Sequence, residues 1–443
     1  MRDEITFIDA LTPDSLMHAE ILNILVGICY HPMRFTTLLL LLSVSAQAQF
    51  SHYCGSDRYD KEVFSTVQVT SGVNFGFAQS VGGGSMPLNL DVYQPSGDTA
   101  AVRPLIVWAH GGSFVGGSRT DADVVALCNH FAKRGYVCAS IDYRLGLGTF
   151  PPNEQAVTEA VWRAVQDMKA AIRFFSKDAV TGNLYKIDTS LIVAAGSSAG
   201  AFTALHLAYL DEDSEIPALI DTNTVGGLEG NSGNPGYPSH VNAVVNLCGA
   251  LGSANYIQPG DIPFVSMHGT DDQTVPYATA TIVFIGIFPL MPVDGSYTIA
   301  QHADSIGLTN DFYTYYGAGH VPYLSDVSYM DTTVRFVSNF LYRFMGCNPS
   351  DPNPLPNTFP SYIDHVEEIS AWVYPNPVLH AMSIDCEGLG EARVRIIDGL
   401  GRILIEKEIF DKGVIELDHL APGMYYYFLY TREGNKKGAF LKM

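Results

Sequence analysis

Leu191-Ile192-Val193-Ala194-Ala195-Gly196-Ser197-Ser198-Ala199-Gly200 is the stretch from which the rest of this chain can be read. Five apolar residues lead into a Gly-Ser-Ser-Ala-Gly pentapeptide, and a run of helical composition follows at 201–210. That order predicts a strand, a very tight turn and a helix, with Ser198 at the apex and its hydroxyl pushed out of the sheet. Flanking glycines let strand and helix approach without Cβ clashes. The helix N-terminus adds unpaired N–H groups and a partial positive charge beside the hydroxyl. Such a turn presents a nucleophile. The pentapeptide alone is a weak signal in a chain with 41 glycines among 443 residues, so a base, an orienting acid and an oxyanion site must come from elsewhere.

Three further segments supply candidates. In Leu105-Ile106-Val107-Trp108-Ala109-His110-Gly111-Gly112-Ser113-Phe114 a strand ends in a glycine turn. The backbone N–H groups of that turn, with the N–H of Ala199, suit a negatively charged tetrahedral oxygen. His110 reads as a brace for the loop rather than a base. His268-Gly269-Thr270-Asp271-Asp272-Gln273-Thr274-Val275-Pro276 is again a strand followed by a loop, with two adjacent acids, Asp271 and Asp272, able to orient a histidine. Tyr316-Gly317-Ala318-Gly319-His320 places a histidine after the last strand. Serine, acid and histidine therefore follow one another along the chain, each after a strand.

Between residues 58 and 344, strand-like runs at 67–70, 88–93, 105–109, 136–141, 191–195, 241–247, 264–267 and 312–316 alternate with helical patterns. The clearest pattern puts Val157, Ala160, Val161, Ala164, Met168, Ala171, Ile172 and Phe175 on one face at a period near 3.6. This alternation predicts an α/β fold, a mostly parallel central sheet with helices on both faces. The first two strands, joined through Gly82-Gly83-Gly84, read as an antiparallel hairpin at its edge. Two insertions overlie the expected site. One, at 213–240, is loop-rich. The other, at 281–292, carries Ile282, Val283, Phe284, Ile285, Ile287 and Phe288. It reads as a helix packed on the core, or alternatively as a lid lining an acyl pocket.

With these residues in place, the region from about Asp57 to Met345 resembles the α/β-hydrolase family, specifically its carboxylesterase and lipase members with an HGG-type oxyanion loop. Asp91-Val92-Tyr93-Gln94-Pro95 and Asp142-Tyr143-Arg144-Leu145 match that group as well. The resemblance implies Ser198 as nucleophile, His320 as base and Asp272 as acid, because the pattern sets the acid four residues after His268 and three before Val275. It implies Gly112, Ser113 and Ala199 as oxyanion donors. Ser113 stands where the family often has a third glycine; a backbone donor tolerates this, while the side chain narrows the site. No metal or other cofactor is required. The implied activity is hydrolysis of a small-molecule or polymer-borne carboxylic ester. Alternatives on the same scaffold are a feruloyl or acetyl esterase acting on polysaccharide and a serine peptidase. A catalytically silent adhesion module is a further alternative, although such relatives typically lack the serine or the histidine.

The net charge of −21, from 25 basic and 46 acidic residues, disfavours phosphate backbones as partners and argues against nucleic-acid binding. No stretch after residue 50 is apolar enough to span a membrane. Met33-Arg34-Phe35, the apolar run 38–42 and Ala46-Gln47-Ala48 together read as a secretory signal peptide over 33–48. Residues 1–32 are then expected to be a mis-assigned extension upstream of the true start, with the mature chain beginning near Gln49. Of seven cysteines, Cys29 leaves with the leader. Cys54 opens the mature chain and Cys347 closes the catalytic region (49–346); both sit in polar, turn-rich surroundings and are expected to form a disulfide. Cys128, Cys138 and Cys248 read as small core side chains, and Cys386 stands alone.

Residues 347–370 form a Pro-rich linker with Pro349, Pro352, Pro354, Pro356 and Pro360. The following 371–443 segment reads as a small all-β sandwich, with strands at 393–397, 402–409, 425–430 and 439–443. Tyr374-Pro375-Asn376-Pro377, Asp398-Gly399-Leu400-Gly401-Arg402, Leu420-Ala421-Pro422-Gly423-Met424-Tyr425 and the closing Phe440-Leu441-Lys442-Met443 resemble the sorting domain of type IX secretion cargo. That resemblance implies engagement with the type IX machinery through 371–443 and passage across the outer membrane to the surface or the medium, with removal of this domain. A carbohydrate-binding or Ig-like accessory module is the alternative.

Overall fold

The computed structural model describes residues 50–284, 288–324, 326–351, 371–397, 403–431 and 435–443. The predicted leader and upstream extension, most of the Pro-rich linker and the 398–402 turn lie outside these residues. The chain divides into two compact units, Met1–Leu355 and Pro356–Met443.

The first unit is built on an eight-stranded sheet. Its strands are β1 (Val67–Gln79), β2 (Ser85–Pro95), β3 (Arg103–Ala109), β4 (Val137–Ile141), β5 (Ile187–Ser197), β6 (Ala243–Leu247), β8 (Phe264–Gly269) and β11 (Asn310–Tyr315). They lie in the order β1-β2-β4-β3-β5-β6-β8-β11. From β4 to β11 all pairs are parallel. The β1–β2 hairpin joins one edge antiparallel, as expected.

Both faces of the sheet are covered, and the period of two along each strand divides the core accordingly. Leu105, Val107 and Ala109 of β3 enter one apolar cluster, whereas Ile106 and Trp108 enter the other. Onto the first face pack helices α2 (Glu154–Thr181), α3 (Ala199–Tyr209) and α5 (Ser296–Ile306), through residues such as Met168, Phe202 and Ile299. Onto the second pack α1 (Ala122–Lys133) and α6 (Val327–Phe344), through Leu127, Phe131, Val337 and Leu341. A one-turn helix, α4 (Thr222–Val225), lies within the loop-rich insertion. Helix α2 begins where the Asn153 side chain accepts a hydrogen bond from Ala156 N at 2.9 Å, an N-cap that satisfies one of the free first-turn amides. The apolar stripe read from the sequence faces the first cluster along its length.

One expectation fails. The described part of the 281–292 segment is not a helix, although its half-buried Ile282, Phe284 and Met291 do pack against the first apolar cluster and line the cavity described below. It forms strands β9 (Ala280–Phe284) and β10 (Phe288–Gly295) of an antiparallel hairpin, with half-buried and exposed side chains alternating. Pro289 and Pro292 explain this, since each lacks an N–H and its ring clashes with the preceding helical turn. β-branched Thr281, Ile282 and Val283 suit a strand. The two-residue strand β7 (Ala250–Leu251) pairs with the base of β10, and Asp294 pins that base by accepting from Ala254 N (2.8 Å) and the Thr279 hydroxyl (2.6 Å).

Cys54 and Cys347, 293 residues apart, are joined by a disulfide. Cys128, Cys138, Cys248 and Cys386 are free and buried.

The second unit consists of β12 (Trp372–Tyr374), β13 (Ala381–Asp385), β14 (Glu391–Ile397), β15 (Ile403–Phe410), β16 (Lys412–Glu416), β17 (Gly423–Tyr430) and β18 (Asn435–Lys442). Their order is β12-β13-β16-β15-β14-β17-β18, and each neighbouring pair is antiparallel. Strands β15 and β16 share the single pair Phe410–Lys412, around Asp411 at φ 54°. The sheet folds over there into two layers. Val378 stitches the far edges, donating to Leu441 O and accepting from Met443 N. Met382, Ile384, Ile415, Val394, Leu429 and Phe440 fill the space between the layers. The result is the expected sandwich, with three short strands (β12, β13 and β16) that the sequence did not announce.

Candidate active site

Strand β5 ends at Ser197, helix α3 begins at Ala199, and Ser198 between them has φ 54° and ψ −119°. A non-glycine residue rarely takes this backbone, and here the neighbours enforce it. A Cβ on Gly196 would lie 2.1 Å from the carbonyl carbon of Gly200, and one on Gly200 would lie 2.0 Å from Ala109 O. Only glycine lets β3, β5 and α3 close to this distance. Ser197 is fully buried, its hydroxyl donating to Asp123 Oδ2 (2.6 Å) and lying 2.7 Å from the Tyr323 hydroxyl.

The structure brings Ser198, His320 and Asp272 together. His320 Nε2 lies 2.8 Å from Ser198 Oγ, and His320 Nδ1 lies 2.6 Å from Asp272 Oδ2. A ring nitrogen that faces a carboxylate carries the proton, so Nε2 is left as the acceptor for the serine hydroxyl. The Asp272 side chain is fully buried, and the His320 side chain retains 19 % exposure. Burial pushes the Asp272 carboxyl upward, but hydrogen bonds from His268 and His320 and the amide of Val275 outweigh it and hold the group well below the usual carboxylate range. Oδ1 accepts from Thr274 N (2.8 Å) and Val275 N (2.9 Å). Asp271 is exposed and accepts from the Thr270 hydroxyl at 2.9 Å. Of the two adjacent acids, it is Asp272 that meets the histidine.

The glycine loop after β3 carries three consecutive positive φ values: Gly112 at 110°, Ser113 at 53° and Phe114 at 61°. The Gly112 carbonyl accepts from Val115 N and Gly116 N, both at 3.0 Å. Among the described residues, no hydrogen bond takes up the N–H of Gly112 or Ser113. Ala199, the first helical residue, has no earlier helical carbonyl to receive its own. Ser113 and Ala199 line the same cavity as Ser198. His110 does not approach the serine through a hydrogen bond. Its Nδ1 lies 2.6 Å from Gly111 O, its ring stacks on Tyr143 at 4.3 Å, and the Tyr143 hydroxyl donates to His110 O at 2.8 Å. Burial pushes the His110 pKa down. It braces the loop, as its position in the sequence suggested.

Ser198 opens onto a cavity of about 110 Å3. One wall is helix α2 with Val157, Val161 and Val165. The opposite wall is the β9–β10 hairpin with Ile282, Met291 and Val293. Pro217 and Leu228 of the loop-rich insertion also contribute. That insertion is fixed by Trp162 Nε1 to Gly226 O (3.0 Å), Gln166 Nε2 to Val225 O and Gly227 O (2.9 Å each), and Lys169 to Glu229 (2.9 Å). His206 reaches the cavity from α3. Its Nδ1 faces Phe202 O, its Nε2 accepts from Gly252 N, and burial pushes its pKa down to about 4, so the ring is neutral. Among the described residues, no group of three or more His, Cys, Asp or Glu side chains is arranged to hold a metal ion, and no helix is long and apolar enough to cross a membrane. Of the residues behind Asp272, His268 enters the sequence reading only as the marker four residues before the acid, and Ser296 and Asn246 do not enter it. The only signal was the four-residue spacing from His268 to Asp272.

Residues 90–252 match the family model described as BD-FAE, and residues 372–441 match that of the secretion system C-terminal sorting domain. Carboxylesterase 3 of Pongo abelii is 34% identical over 117 residues, covering 26% of this chain and 19% of that protein. Carboxylesterase 3B of Mus musculus is 34% identical over 123 residues, covering 27% of this chain and 20% of that protein. The chain therefore spans no more than 20% of the length of these curated relatives. Among solved structures, Thermogutta terrifontis esterase 2 phosphorylated by paraoxon has a TM-score of 0.45 and 23% identity, covering 63% of this chain and 95% of that one. A truncated form of carbohydrate esterase from gut microbiota has a TM-score of 0.46 and 20% identity, covering 64% and 98%. Residues 90–252 thus resemble an esterase domain, the first unit has the α/β-hydrolase fold with Ser198 at a strand–helix turn of its parallel sheet, and the second unit carries a type IX sorting domain, which marks the chain for export to the cell surface or the medium.

Proposed function

We propose that this chain is an exported serine hydrolase of carboxylic esters, with its catalytic region at 49–346 and its export signal at 371–443. His320 Nε2 takes the Ser198 proton as Oγ attacks the ester carbonyl. The N–H groups of Gly112, Ser113 and Ala199 receive the negative oxygen that develops, each worth about 2.7–4 kcal/mol of barrier. The imidazolium, steadied by the Asp272 carboxylate, then protonates the leaving alcohol. A water molecule deprotonated by His320 attacks the acyl-enzyme and releases the acid.

The observation that carries this reading is the continuous chain from Ser198 Oγ through His320 to Asp272, at 2.8 and 2.6 Å, at the mouth of an apolar cavity. The cavity favours an apolar acyl group, because it offers few polar partners. A p-nitrophenyl ester series of increasing acyl length, run on the wild type and on Ser198→Ala, tests the proposal. Turnover is expected in the wild type alone, and equal turnover in both proteins would remove the hydrolase reading.

A further inference from the structure

Behind the acid lies a second histidine. His268, near the end of β8, is fully buried, and its Nε2 lies 3.1 Å from Asp272 Oδ2, the same oxygen that His320 engages, and 3.1 Å from Val275 O. Both of these neighbours are acceptors only, so Nε2 must carry the proton. On the other side, His268 Nδ1 lies 2.8 Å from the Ser296 hydroxyl. Asn246 donates through Nδ2 to Ser296 Oγ (2.9 Å) and to Ser266 Oγ (2.8 Å), and its Oδ1 accepts from Gly249 N (2.9 Å). With its lone pair occupied by Asn246, the Ser296 hydroxyl has its proton free for Nδ1 or for Gly249 O at 3.2 Å.

These contacts give Asp272 four donors: two ring N–H groups on Oδ2 and two amides on Oδ1. The titratable groups facing it are His320 from the last loop, His268 from β8 and the Cys248 thiol that follows β6, while Tyr277 sits edge-on to His268 at 5.8 Å.

We infer that His268 is a positioning residue for the reaction, a donor whose Nε2 proton is fixed by the Asp272 and Val275 acceptors, which shares the Asp272 carboxylate with His320 and limits how strongly that carboxylate holds the His320 proton. The inference rests on the reading of Ser198, His320 and Asp272 as the reacting set. A carboxylate that loses one donor binds its remaining partner more tightly, which favours the imidazolium. The proton taken from Ser198 would then be held more firmly on His320, and activity at neutral pH would fall.

The test is the pH profile of kcat/KM for p-nitrophenyl acetate in the full chain, with His268→Met and His268→Gln. The methionine keeps the volume and removes the donor, and the glutamine restores an N–H. The acidic limb of the methionine variant is expected to move up by about one unit, with kcat lowered roughly tenfold and KM unchanged. The glutamine variant should keep the wild-type limb. Should the methionine variant fail to fold, His268→Asn, too short to reach the carboxylate, takes its place. A limb that stays put in the donor-free variant, or moves equally in the glutamine variant, would overturn the inference. A wild type without turnover would instead overturn the esterase reading beneath it.

Discussion

The strand edge that carries the candidate reacting groups and the hairpin that faces it across the cavity are built on opposite terms. At the edge, Ser198, His320 and Asp272 are tied by short hydrogen bonds, and a strained turn is fixed by glycines whose Cβ atoms would collide with backbone. On the hairpin, β9 and β10 alternate half-buried and exposed apolar side chains and are pinned at the base through Asp294. Where polar side chains are held by fixed partners, small changes are costly. Where apolar side chains meet a cavity, size can change with little penalty. On the proposed reading, the edge would set what reaction can occur, and the hairpin which acyl group can reach it.

Four measurements test this contrast. The largest effect belongs to Ser198→Ala, which should lower kcat by about 10^6-fold while leaving the thermal transition nearly in place. Next, Asp272→Asn should lower kcat by about 10^4-fold, since the amide no longer fixes the His320 tautomer. Asp271→Asn, on the exposed neighbour, should leave turnover within about twofold. Equal losses in the two would erase the distinction between these acids.

The third concerns His206, where edge helix and cavity meet. Its folded pKa is depressed from 6.5 to about 4 by burial, so the unfolded chain binds the proton more readily. Its stabilising contribution is complete above pH 6.5 and is lost as pH falls from there towards about 4. The loss amounts to about 3 kcal/mol over that window. Urea midpoints of wild type and His206→Gln across the window check this: the variant should be less pH-sensitive by about that amount.

The smallest effect is expected on the hairpin. Met291→Trp should fill part of the cavity and lower the butyrate-to-acetate turnover ratio by roughly tenfold, with acetate turnover little changed. A comparable loss on acetate would mean that the hairpin also supports the reacting edge.

The legibility of these regions differs for the same reasons. Strands β3 and β5 were readable because continuous apolar runs between turn signals are what a strand covered on both faces requires. Ser198 and His320 were readable because each follows such a run. Asp271 and Asp272 could not be separated by residue type alone: adjacent side chains point apart, and the separation lies in a loop whose Thr274 and Val275 amides turn back onto one of them. The apolar content of 281–292 suits a helix and a strand alike, and only Pro289 and Pro292 stand against the helix. A role for His268 escaped notice because a buried histidine on a strand resembles any core residue until its two ring nitrogens are assigned. In the sorting unit, β12 and β16 are short and carry exposed apolar residues such as Trp372 and Val414, so alternation had too few residues in which to declare itself.

The Cys54–Cys347 bond has a topological consequence. It closes the polypeptide between these residues, 293 positions apart in sequence, into a covalent ring that contains all three candidate reacting residues. A single protease nick in any loop of that ring leaves both fragments attached, whereas a single cut after Cys347 releases the sorting unit and leaves the ring unopened. In a proteolytic extracellular setting, this makes separation of the sorting unit compatible with keeping the first unit in one covalent piece.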